Sequence, residues 1–161
     1  MSIGAKGLIA IVGAALAINI GIGQGQSPKY QMKFSESSGA YTVKVELQPI
    51  KQSGVLERSG WWGGGGRTRE SAVSSFRIFR KGKPIHVPRS AYADLSNINT
   101  FAVLTVGTAI KIYIEGGDAS AGYDAEITVK GDEVTQRTVR AGEFPDNYWE
   151  RTTYVSIDPG G

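Results

Sequence analysis

Trp61 and Trp62 stand directly before four glycines, Gly63 to Gly66, and Arg67 and Arg69 follow. Indole rings supply large contact area, and glycine neighbours let them adapt to a partner. The two arginines add planar cations suited to phosphate or carboxylate. Trp61, Trp62, Arg67 and Arg69 therefore form the leading recognition candidate. Such a tip can stack on sugars, enter a membrane interface or dock on a protein. The structural alternative is that one or both rings fold back as a lid over an open edge, because exposed aromatics cost solubility. The run lacks the Gly-Lys-Ser/Thr ending of a phosphate loop, which argues against nucleotide binding.

Catalytic chemistry has fewer candidates. His86 is the only histidine, and it sits between Pro84 and Pro88. A Ser-His-Asp arrangement would need it, yet no Gly-x-Ser-x-Gly element accompanies it. His86 reads as a solvent-facing strand residue. A multi-histidine metal site is excluded, and the absence of cysteine removes thiol catalysis and sulfur-bound zinc. Glu115, Asp118, Ser120 and Asp124 surround a Gly-rich turn. Calcium favours such oxygen ligands, but the spacing is not that of a helix-loop-helix calcium site and the closing bidentate Glu is missing. Hairpin-loop hydrogen bonding accounts for them better. No metal or cofactor is expected.

Glycoside hydrolysis needs two carboxylates facing each other across a sugar-sized cleft. Glu115, Asp118, Glu143, Asp146 and Glu150 qualify by residue type, and spacing does not set their distances. The segment Gly142–Tyr154 is dense in aromatics and charge. It reads as a loop anchored by Phe144 that leads into a closing strand, with packing ahead of binding for Tyr148 and Trp149. Glu150 and Arg151 are adjacent, so on a strand they face opposite sides.

The elements that position these residues follow a period of two. Tyr30–Phe34 alternates, Ser35–Gly39 reads as a turn, and Tyr41, Val43, Val45 and Leu47 share one face. Pro49 ends that strand, since it cannot donate to a ladder. Residues 51–70 read as a mobile Gly-rich loop or one ordered by a partner. Strands follow near Val73–Arg80, Phe101–Val106, Ile110–Ile114, Tyr123–Val129, Val134–Val139 and Trp149–Ile157. Lys81-Gly82-Lys83, Gly107-Thr108 and Gly131-Asp132 supply turns between them. Ser90–Asn97 reads as a helical turn capped by Ser90. Arg137 and Arg140 are expected outward. The pattern predicts an all-β fold, an antiparallel β-sandwich or partly closed barrel of about eight or nine short strands.

The N-terminus differs. Lys6 precedes Leu8–Ile22, a run of 15 residues without charge, and a polar Gly-rich stretch follows. A spanning helix needs about 20 apolar residues, and Asn19 interrupts this one. Basic start, apolar middle and small-residue exit make residues 1–26 a cleaved signal peptide, with a retained membrane anchor as the alternative. Residues 27–161 then form a single exported domain, periplasmic or secreted.

Charge is uneven. Residues 51–89 hold nine basic and two acidic side chains, and residues 91–161 hold eleven acidic and five basic ones. Interleaving in one β fold neutralises the halves more simply than a basic docking face. No nucleic-acid motif is present. The sequence reading is a non-catalytic binding or accessory module of the bacterial cell envelope, its partner an envelope protein or glycan. The alternatives are a small envelope hydrolase using carboxylates near Asp118 and Glu143, or an inhibitor of an extracellular enzyme.

Overall fold

The computed structural model describes residues 33–50, 61–63, 71–117, 121–144, 146 and 148–156. They form an all-β fold of two antiparallel sheets. The first sheet contains β1 (Lys33–Ser38), β2 (Tyr41–Pro49), β3 (Ser71–Arg80) and β4 (Lys83–Ile85) in that spatial order. The second contains β5 (Ile98–Val106), β6 (Ala109–Gly116), β7 (Tyr123–Lys130), β8 (Glu133–Ala141) and β9 (Tyr148–Thr153), again in chain order. The arrangement is that of a β-sandwich, and no ladder joins the two sheets into a barrel among the described residues.

Four two-residue turns close the hairpins β1–β2, β3–β4, β5–β6 and β7–β8. Two-residue hairpin loops favour turns with positive φ, because their twist matches that of the strands. Gly131, at φ 61°, takes that conformation at the start of the β7–β8 turn. Ser35 to Ser38, expected as part of a turn, instead extend β1. The turn needs only Gly39 and Ala40, so the serines pair with β2 through Ser38↔Tyr41.

Alternation places one face of each sheet in the core. Val43, Val45, Leu47, Phe76 and Ile78 from the first sheet pack with Ile112, Ile114, Ile127, Val129 and Val139 from the second. Burying each such side chain contributes about 1.5–3 kcal/mol. On one side, β1 lies against β5, and the Ser38 and Thr105 hydroxyls meet at 2.7 Å. On the other side the sheets are bridged by the crossover between β4 and β5. It contains a short 3-10 turn, Arg89–Ala91, followed by buried Leu95 and Ser96. Pro88, not Ser90, precedes this turn, and no side chain caps it.

Candidate functional site

The crossover positions the tryptophans. Trp62 N donates to Asp94 O at 2.9 Å, and Ser96 N donates back to Trp62 O at 3.2 Å. Trp62 thus forms a parallel bridge with Leu95. Asn97 Nδ2 donates to Gly63 O at 3.1 Å. Gly63 has φ 83°, and a Cβ there would sit 2.7 Å from Ser96 O and 2.9 Å from the Tyr123 ring. Only glycine fits such a left-handed, crowded position. Segment 61–63 is therefore anchored along the crossover. The rest of the expected mobile loop, with Arg67 and Arg69, lies outside the described residues.

Trp62 folds back as the structural alternative required. Its ring packs against the core and stacks on Trp149, with centroids 5.2 Å apart and planes at 12°. Trp149 owes its aim to a bulge. Val139 pairs with Glu150 and Arg140 with Tyr148, which leaves Trp149 as the extra residue on β9. Bulges commonly redirect a side chain in this way.

Trp61 has a different role. It lines an open cavity of about 450 Å³ with Arg89, Ser90, Ala93, Asp94, Arg137, Glu150 and Thr152. Ligand cavities typically measure about 300–1,000 Å³. The cavity is walled by the crossover and by the core-side face of β8 and β9.

Arg137 forms its floor, which corrects the expectation that this residue faces outward. Residues paired directly across a ladder share a face. Ile112, Ile127, Arg137 and Thr152 are paired in one such row, and the two isoleucines are core residues. Arg137 therefore points inward and is only 1% exposed. Its guanidinium donates to both Asp94 carboxylate oxygens, at 2.7 and 2.8 Å, and to Ser90 O. Glu150 Oε2 stands 3.5 Å from the same cation, and Thr152 Oγ1 donates to Glu150 Oε1 at 2.7 Å. A buried charge is tolerated only when paired and hydrogen-bonded.

The opposite face of β9 carries a second group. Arg140 and Arg151 both lie over the Tyr148 ring, at 4.6 and 4.5 Å from its centroid. Arg140 also donates to the Tyr148 hydroxyl at 2.9 Å. The expected anchor Phe144 is 61% exposed, so packing does not explain it; Tyr148 and Trp149 are exposed too. The expectation that Phe144 anchors the loop in the core is corrected by its exposure on the segment between β8 and β9.

The remaining candidates are dispersed. Among the candidate carboxylates in the described residues, Glu150 alone reaches the cavity. Glu143 and Asp146 are exposed between β8 and β9, and His86 is exposed after β4. Glu115 and Asp124 are paired across β6 and β7, with Arg140 opposite Asp124. Burial raises the Asp124 carboxyl above its ordinary value, the Glu115 charge adds to this, and Arg140 opposes it. Asp118 and Ser120 lie outside the described residues. Asp94, Arg137 and Arg89 were not singled out by sequence. One signal was available: Arg137 lies two residues from Val139 and three from Arg140, so the two arginines cannot share a face of a regular strand.

No group of three or more metal-ligating side chains is assembled among the described residues. No helix among them is long and apolar enough to cross a membrane. The chain matches no family model, no curated protein and no solved structure.

Proposed function

We propose that this chain is an exported, non-catalytic binding module of the cell envelope that docks on a protein partner. The recognition surface runs from Trp61 across the cavity mouth to the exposed aromatics of β9. The observation carrying this reading is the grouping of Tyr148 with Arg140 and Arg151 on the outer face of β8 and β9, whose inner face walls the cavity lined by Trp61. Trp, Tyr and Arg are the residue types that dominate binding energy at protein interfaces. The apolar N-terminal segment supports export on sequence grounds.

A glycan is the second reading. Trp61 beside the Asp94 and Glu150 carboxylates offers a stacking wall and acceptors to a sugar. A hydrolytic role fits less well. Both Asp94 oxygens accept from Arg137, and Glu150 accepts from Thr152 while facing the same guanidinium. Such engagement suits holding a structure together better than shuttling a proton.

The test is crosslinking of the full chain in its own envelope fraction, with wild type beside Trp61→Ala and Trp149→Ala. The reading expects a defined protein adduct that both variants lose. An adduct indifferent to both variants overturns it. Saturable quenching of tryptophan fluorescence by envelope glycan fragments, without a protein adduct, favours the glycan instead.

A further inference from the structure

Strand β9 is the end strand of its sheet. Its residues pair with β8, and no backbone hydrogen bond reaches its other edge among the described residues. An unpaired edge is a template for another strand. The other edges are managed differently. β4 has three residues with Pro84 at its centre, which removes a donor. β1 and β5 lie against each other.

The charges of β9 select what can pair with it. Two copies related by a two-fold axis normal to the sheet must match residues of the same face. The two registers with the longest overlap then set Glu150 against Glu150 or Arg151 against Arg151. Like charges directly opposite are destabilising. The edge thus opposes a second copy of itself. On the outer face, Arg151 is exposed and has no carboxylate partner among the described residues, and it lies on the same Tyr148 ring as Arg140. The shared ring keeps Arg151, on the edge strand, and Arg140, one strand further in, together on the outer face. On the inner face, Glu150 and Thr152 border the cavity walled by Trp61.

We infer that β9 accepts an extended acidic segment of the partner protein as a sixth strand, its carboxylates over Arg151 and Arg140 and its alternate side chains toward Trp61. Strand addition draws affinity from main-chain hydrogen bonds and specificity from alternate side chains. The inference rests on the protein-docking reading above.

Three synthetic peptides test it against the full-length protein. The first is Thr-Val-Glu-Val-Glu-Val-Thr, the second carries lysine at both Glu positions, and the third is the first with alternate amides N-methylated. Binding is followed by tryptophan fluorescence, with amide exchange of residues 148–153 as a second readout. The Glu peptide should bind about tenfold tighter than the Lys peptide and slow exchange along β9. N-methylation should abolish binding, and Arg151→Glu should invert the charge preference. Equal binding of the N-methylated peptide, an unchanged preference in Arg151→Glu, or no binding by the Glu peptide overturns strand addition. Self-association of the free protein through β9 overturns it as well. If the peptides fail while Trp61→Ala still loses the crosslinked partner, only the edge-pairing mode falls. If the crosslink is also indifferent to that variant, the docking reading falls with it.

Discussion

Arg137 and Asp94 lie 43 residues apart and meet through two hydrogen bonds of 2.7 and 2.8 Å, tying the crossover to the inner face of β8. Asp94 is the nearer of the two carboxylates that meet this cation, Glu150 Oε2 standing further off at 3.5 Å. Removing one member of a buried pair costs about 3–5 kcal/mol, because the other is left uncompensated. Asp94 is partly exposed, which places Asp94→Asn near the lower end, at about 3 kcal/mol. Urea unfolding at neutral pH measures it. Replacing both together, Arg137→Met with Asp94→Leu, should cost less than Asp94→Asn alone.

Gly63 controls the tryptophan platform. A side chain there meets Ser96 O and Tyr123 while the backbone keeps φ 83°. Gly63→Ala should destabilise the fold by about 1–3 kcal/mol and displace Trp62 from Trp149. The expected readout is a lower thermal midpoint with altered near-ultraviolet circular dichroism.

Asp124 gives a pH signature. Burial, then the Glu115 charge, holds its carboxyl above the ordinary value in the folded state. The folded protein therefore favours the protonated form. This group's contribution is fully present below the unfolded-state value and is lost as pH rises through the raised folded value. Asp124→Asn mimics the protonated form. It should raise stability slightly at neutral pH, and the gain should vanish at pH values below the ordinary carboxylate range. A gain that persists in acid would contradict this origin.

Export predicts a mass. Fractionated cells should yield a periplasmic or secreted product lacking about 17–25 N-terminal residues. A full-length membrane product would indicate a retained anchor. A full-length cytosolic product would sink the export reading and return attention to the basic residues 51–89.

Most strands and hairpins were legible in the sequence, because alternation and turn chemistry act between near neighbours; the first strand was placed too early, since its polar residues Ser35 to Ser38 read as a turn. Tyr41 to Leu47 alternate visibly, and Gly131-Asp132 announces its turn. The opposed directions of Glu150 and Arg151 also followed from strand geometry alone: one faces Arg137, the other Tyr148. The candidate site was legible only in part. Trp61 and Glu150 were singled out, but nothing local joins them. Their meeting depends on the crossover laying Asp94 and Ser90 over β8, and on the bulge that turns Trp149 toward Trp62. Arg137 looked like one more outward arginine. Its inward direction is set by the phase of β8 against Ile127, and a buried cation is sustained only where a distant carboxylate arrives to pair with it. Local pattern determined the strands; long-range pairing of charge and ring decided which side chains share a site, because those energies exist only once the chain has closed on itself.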